Sequence, residues 1–167
     1  STEFTNKKMK ELYGYFQDDQ VAVNTISNLQ GMGLTEKELN NTLSASIAVW
    51  TAYGDSIPIE GLTESVNETA QVGKVTGSLA DALNWAGISE DDFNKRLEKC
   101  NSTKERAQLI TDTLNGAYGK SKETYDKNTE SLRKNNEANY ELIDAQARLG
   151  EAIEPVDTAI TNLKASA

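Results

Sequence analysis

Two short stretches share one pattern: "MGLTEKELNNTL" at 32–43 and "AGISEDDFNKRL" at 86–97. In each, a glycine is followed two residues later by Thr or Ser, and then by acidic residues, an asparagine and a leucine. Glycine favours the left-handed backbone just past a helix C-terminus, and Thr and Ser favour the N-cap of the next helix. Each stretch therefore predicts the end of one helix and the start of another. The matching residues are Gly33, Glu36, Asn40 and Leu43 in the first stretch, and Gly87, Glu90, Asn94 and Leu97 in the second.

Three predicted helix starts pair an N-cap hydroxyl with an acid three residues later. In a capping box, the two side chains satisfy each other's backbone amides. Apolar residues flank the first two starts in positions that suit a hydrophobic staple, so all three are interpreted as folding devices. The pairs are Thr35 with Glu38, Ser89 with Asp92, and Ser102 with Glu105.

Apolar residues recur at helical spacing along the first 119 residues, for example at Leu39, Leu43 and Ile47. Only two prolines occur, and 37% of the residues are hydrophobic, which favours narrow apolar stripes on helices. Glycine and proline interrupt the stripes at 54–62, 72–77 and 115–120, and a helix end followed by the Ser102 N-cap interrupts them at 100–105. We therefore predict an all-α fold, with about seven short helices forming a compact domain over 1–119.

Residues 120–153 are highly charged and predict one long helix, which forms the start of a second unit at 120–167. Toward its end, apolar residues alternate at spacings of three and four, the pattern of a coiled-coil seam. Pro155 lies within this seam and predicts a kink there. The pattern leaves open whether the seam packs on its own domain or on another chain. The seam residues are Leu142, Ala145, Leu149, Ala152, Val156, Ala159 and Leu163.

The formal net charge of −9 disfavours binding of nucleic-acid phosphates. The sequence contains no run of about 20 apolar residues, which a membrane span needs. Because the chain begins with Ser1 rather than Met, we expect a fragment of a longer protein. The expected partners are other proteins or further copies of this chain.

The sequence contains no histidine, which removes the commonest general base and metal ligand. We therefore predict no catalytic residue, no cofactor and no metal. Cys100 follows the apolar stripe of Phe93 and Leu97 and is expected to be a small buried residue. "GKVTG" at 73–77 matches only part of a phosphate loop, and "DKNTESLRKNNE" at 126–137 matches a calcium loop but lacks its glycine.

Acidic residues occur in the first turns of predicted helices, for example Asp18 and Asp19, where negative charge complements the helix dipole. The aromatic group "LYGYF" at 12–16 has two interpretations. It either anchors a helix to the core or contacts a partner protein, and anchoring is the commoner role of such groups.

Three runs carry a resemblance to a known family. They are "YFQDDQVAVNTISNLQGMGLTEKELNNTL" at 15–43, "GDSIPIEGL" at 54–62 and "ETAQVGKVTGSLADALNWAG" at 68–87. In this order, and together with the helix-start pattern, residues 12 to 118 resemble a segment of the tail tape measure proteins of long-tailed phages and related prophages.

The resemblance implies a mostly helical structural protein that lies in the lumen of the virion tail, sets its length and is made in the host cytoplasm. Tail tube or assembly proteins, or further copies, would be its partners.

Two alternatives to this interpretation remain. In the first, the chain is a scaffold or adhesin module unrelated to phage, which binds through the seam. In the second, it is a helical wall-degrading enzyme domain that uses glutamate.

Overall fold

The computed structural model describes residues 1–153, which are helical and contain no strand. The all-α prediction is confirmed for this range. Six short α-helices and one 3-10 turn (Gly54–Ser56) precede the long helix α7. The α-helices are α1 (Thr2–Phe16), α2 (Asp19–Asn28), α3 (Glu36–Tyr53), α4 (Ile59–Val72), α5 (Leu79–Trp85), α6 (Glu90–Glu98), α7 (Thr103–Ala138) and α8 (142–153).

Helix α7 is the helix on which α1, α3 and α4 pack. It lies mainly against α3, and also against α1 and α4, while α2 packs on α4 and α1. The helices share one continuous apolar core, because each turns a stripe of Leu, Ile, Val or Ala toward it. Large side chains that are fully or almost fully buried include Met9, Leu12, Ile57, Leu62, Leu79, Leu83, Phe93, Ile110 and Leu114.

The predicted stop at 115–120 is wrong, because α7 continues without interruption through Gly116 and Gly119. A glycine in a helix interior costs only about 1 kcal/mol relative to alanine. The buried Leu114 and Tyr118 flank Gly116, and Tyr118 directly precedes Gly119, so they hold this part of the helix against the core. The tertiary contacts therefore outweigh the local preference for a break.

The predicted single helix over 120–153 is also wrong. Helix α7 ends at Ala138, and the backbone amide of Asn139 bonds the Asn136 and Glu137 carbonyls. A short turn then leads into α8. At this turn Tyr140 packs on Tyr13 of α1, with ring centroids 5.3 Å apart, so a tertiary contact accompanies the end of the helix.

Residues beyond 119 lie against the first helices of the chain and do not form a projecting arm within the described range. Helices α1 and α7 approach each other closely at Gly14, because a Cβ there would be 3.3 Å from the Arg133 carbonyl oxygen. The buried Asn136 donates to the Gly14 carbonyl at 2.9 Å. The boundary predicted between 119 and 120 thus falls inside α7. The kink predicted near Pro155 lies outside the described residues.

Candidate functional site

The predicted interaction seam packs on its own chain at three of the four seam residues that the structure describes. Ala145 is fully buried and Leu149 is 4% exposed, and both belong to the core. Ala152 is partly buried against that core, whereas Leu142 is 36% exposed. The seam residues Val156, Ala159 and Leu163 lie outside the described residues. The question that the heptad left open is therefore answered for Ala145 and Leu149, which face helices of the same chain.

Polar contacts fix the direction in which α8 runs. Gln146 donates to the Asn6 side chain, and Arg148 forms an ion pair with Asp19. Together with the contact between Tyr13 and Tyr140, these pairs place α8 antiparallel to α1 and beside the start of α2. The seam thus completes a three-helix contact within the chain.

The first predicted helix start has both hydrogen bonds of a capping box. The Thr35 hydroxyl accepts from the Glu38 amide at 3.2 Å, and the Glu38 carboxylate accepts from the Thr35 amide at 3.0 Å. The same carboxylate pairs with Lys104 at 3.0 Å and accepts from Gln108. Because Lys104 and Gln108 belong to α7, this cap also joins the start of α3 to the start of α7.

The other two helix starts have simpler caps. Ser89 accepts from the Asp92 amide at 3.3 Å, and Ser102 accepts from the Glu105 amide at 3.1 Å. The Glu105 carboxylate accepts from the Asn101 amide at 2.8 Å, one residue before the N-cap. The structure thus places all six predicted cap residues at helix starts. The side chains of Thr35, Glu38, Ser89, Ser102 and Glu105 accept from backbone amides there, which lack intrahelical partners.

The asparagine shared by the two motifs has a role that the sequence analysis missed. Asn40 accepts a hydrogen bond from the Lys8 ammonium at 2.5 Å, and Asn94 accepts one from the Val75 amide at 2.8 Å. Each asparagine therefore connects its helix to a distant segment. The repetition of asparagine at the same position in both motifs is the sequence signal for this role. Helix capping alone does not explain it, because the position lies beyond the first turn of each helix.

Glu38 makes the start of α3 sensitive to pH. Hydrogen bonds from the Thr35 amide and from Lys104 lower its pKa from 4.5 to about 2. Since the pKa is lower in the folded state, the ionised carboxylate stabilises the fold above about pH 4.5, and this contribution is lost as the pH falls toward 2. We expect the difference in unfolding free energy between the native chain and Glu38→Gln to shrink over that range in urea titrations. A difference that stays constant would contradict this account.

Neither partial ligand motif forms the loop that its chemistry requires. In the segment 73–77, Asn94 accepts from the Val75 amide and the Thr69 hydroxyl accepts from the Thr76 amide at 3.1 Å, so these amides are engaged within the chain. The calcium-like stretch at 126–137 is part of the continuous helix α7. Within residues 1–153, no group of three or more acidic or cysteine side chains is placed to hold a metal ion.

Cys100 is only partly buried, which corrects the expectation of a buried residue. It follows the end of α6 at Glu98, so the helix no longer directs it toward the core as it does Phe93 and Leu97. Its thiol lies 3.6 Å from the Arg96 carbonyl oxygen.

The aromatic group at 12–16 anchors α1 to two other helices. Phe16 packs edge-on against Trp50 of α3 with ring centroids 4.7 Å apart, and Tyr15 stacks on Tyr125 of α7 at 6.1 Å. The Tyr15 hydroxyl donates to the Asp126 carboxylate at 2.5 Å. Burial and this carboxylate raise the pKa of Tyr15, so its hydroxyl stays protonated and acts as a hydrogen-bond donor.

Two carboxylates line a groove between α3 and α7, an arrangement that acid–base chemistry could use. The groove has a volume of about 190 Å³ and is lined by Glu38 and Asp112 together with polar side chains. A general acid needs an apolar surrounding that raises its pKa. Glu38 has the opposite environment, because its carboxylate is held by an amide, an ammonium group and a side-chain amide.

Over the described range, no helix combines the length and the apolar character needed to cross a membrane. No family model matches the chain, and searches of the curated proteins and of the solved structures gave no significant match.

Proposed function

We propose that the chain is a structural module of a phage tail tape measure protein, which contributes to tail-length determination and tail assembly without catalysis. The observation that carries this proposal is the resemblance of residues 12–118, with its ordered helix starts and glycine-containing loops. In the virion, the module would lie in the tail lumen. Its partners would be tail tube proteins, assembly proteins or further copies of the chain.

The use of the polar side chains supports a structural role. The repeated motifs supply caps through Thr35 and Ser89, and bonds between segments through Asn40 and Asn94. These contacts begin helices and join them to one another, which is what a spacing element requires of its sequence.

The enzyme alternative predicts a glutamate with a raised pKa in a groove. Glu38 lies in a groove, but its pKa is lowered to about 2, which disfavours it as a general acid. Zymography on peptidoglycan tests this alternative with the native chain and Glu38→Gln. Clearing by the native chain that Glu38→Gln abolishes would overturn the proposed structural role.

The scaffold or adhesin alternative requires the seam to bind a partner. Ala145 and Leu149 are buried against the chain's own core, which leaves this part of the seam unable to contact a partner while α8 is docked. The neighbouring genes separate the two proposals. Capsid, portal and tail tube genes beside this one would support the tail module, whereas a secretion gene cluster would support an adhesin.

An in-frame deletion of residues 12–118 in the complete phage gene gives a first test of the proposal. If the segment contributes helical length at about 1.5 Å per residue, the tails become about 160 Å shorter. Electron microscopy of negatively stained particles measures the change. Phe93→Ala is the matched control, because it weakens the folded core without removing any residue and should leave tail length unaltered. Full-length tails in the deletion phage would contradict the proposal.

A further inference from the structure

Burial changes abruptly along α7 at Tyr118. The first part of the helix, up to Tyr118, buries Ala107, Ile110, Thr111, Leu114 and Tyr118. Of the 35 residues from 119 to 153, which we call the terminal segment, only Asn136, Ala145 and Leu149 are buried. Leu149 is the only large apolar side chain among these three. Because apolar burial is the main stabilising contribution in folding, the terminal segment is held far less strongly than the rest of α7.

Polar contacts account for much of the attachment of this segment to α1 and α2. Asn136 donates to the Gly14 carbonyl at 2.9 Å and accepts from the Gln17 side chain at 2.8 Å. Earlier in α7, the Asp126 carboxylate accepts from the Tyr15 hydroxyl. The ion pair between Arg148 and Asp19, described above, is partly exposed to solvent. Water replaces such contacts at a small net free-energy cost, so this interface opens more readily than the apolar core.

The terminal segment also contacts the last turn of α3, where Tyr125 packs edge-on against Trp50 at 5.4 Å between ring centroids and Ser121 bonds to Thr51 at 3.0 Å. We propose that the terminal segment undocks from α1, α2 and this last turn of α3 as a unit while the remainder of the fold stays intact. Helix α1 keeps its place in the open state, because Met9 and Leu12 are buried in the core and α1 also packs on α2. Undocking uncovers Tyr13 and Tyr15 on α1 and frees the apolar face of α8. The chain thus has a closed state and an open state with a projecting helical arm, a property that goes beyond the proposed role in tail length.

Hydrogen exchange along α7 tests this proposal in the native chain, because one continuous helix spans both regions. We expect the amides of 121–138 to exchange at least about tenfold faster than those of 106–118, because an undocked helical arm loses its tertiary support and its intrahelical hydrogen bonds then open by fraying. Equal protection along the whole helix would show that α7 opens only together with the core and would overturn the proposal.

A matched pair of variants tests the role of the interface. Asn136→Ala removes both hydrogen bonds to α1, whereas Asn135→Ala changes an exposed neighbour on the same helix. Asn136→Ala should accelerate exchange in 119–153 about tenfold or more and leave α4 and residues 39–48 of α3 unaffected, and Asn135→Ala should match the native chain. The same acceleration in α4 and in these residues of α3 as in the terminal segment would contradict separate undocking.

A reversible cross-link provides an independent test. A Cβ at position 14 would lie 3.1 Å from the Glu137 Cγ, so cysteines at positions 14 and 137 would be in direct contact across the interface. In the Cys100→Ser background, Gly14→Cys with Glu137→Cys should suppress exchange of 119–138 when oxidised and restore it on reduction. If exchange is the same in the oxidised and reduced forms, the terminal segment does not undock from α1.

Discussion

Replacing Phe93 with alanine is expected to destabilise the protein by about 3–5 kcal/mol. Phe93 is fully buried and belongs to the continuous core. It lies one turn into the second helix-start motif, so the same short stretch begins α6 and supplies its main apolar contact. Truncation loses the transfer free energy of the ring and leaves a cavity. Urea denaturation followed by circular dichroism gives the change in unfolding free energy.

Leu132→Ala is the control for this prediction. Leu132 is also a large apolar side chain, but it is 57% exposed on α7. Its truncation should alter the unfolding free energy by no more than about 0.5 kcal/mol, as for most surface substitutions. Similar losses for Phe93→Ala and Leu132→Ala would mean that burial in this core does not determine stability as described.

Replacing Tyr118 with phenylalanine is expected to cost about 1–3 kcal/mol, because it leaves a buried acceptor without its partner. The Tyr118 hydroxyl donates to the Ala82 carbonyl at 2.5 Å and bonds to the Tyr53 hydroxyl at 2.8 Å. Ala82 is among the last four residues of α5, whose carbonyls lack intrahelical partners. The Tyr118 hydroxyl on α7 thus supplies the hydrogen bond that the Ala82 carbonyl lacks within α5, although the two residues lie 36 positions apart.

Tyr53→Phe distinguishes the two bonds of this hydroxyl pair. It removes the bond between the tyrosines but leaves the bond from Tyr118 to Ala82, so its cost should be clearly smaller than that of Tyr118→Phe. Both variants are measured by thermal and urea unfolding. A larger loss for Tyr53→Phe would show that the bond to Ala82 is not the one that matters.

Helix starts could be predicted because their chemistry is local. An N-cap hydroxyl and a carboxylate three residues later lie within one turn of each other, whatever the rest of the fold does. Thr35, Ser89 and Ser102 could therefore be located from spacing alone. The same argument applies to Asp18, whose side chain accepts from the Gln20 and Val21 amides at the start of α2.

Helix ends proved less predictable, because tertiary contacts decide among weak local preferences. Gly116 and Gly119 suggested a break, but the neighbouring Leu114 and Tyr118 are buried and the helix continues. Asn139 gave little local sign of a stop. There the end of α7 is accompanied by the packing of Tyr140 on Tyr13, a contact between residues far apart in sequence.

The interaction seam shows the same limit at the level of the candidate site. The heptad predicted which side of α8 is apolar, and Ala145 and Leu149 are indeed buried. Periodicity contains no information on the surface that covers a stripe. The helices that pack on this face, α1 and α2, could not be predicted from the sequence. They meet α8 through contacts between residues more than 100 positions apart, such as Asn6 with Gln146 and Asp19 with Arg148.

A tandem duplication of residues 12–118 in the complete phage gene tests the central claim most directly. A deletion can shorten tails by impairing assembly, whereas only a length-setting segment lengthens them when repeated. If the helices of the segment lie end to end in the tail, at about 1.5 Å per residue, the duplication should lengthen tails by about 160 Å. Tails of native length, measured by electron microscopy on particles that carry the duplicated protein, would contradict the proposed role.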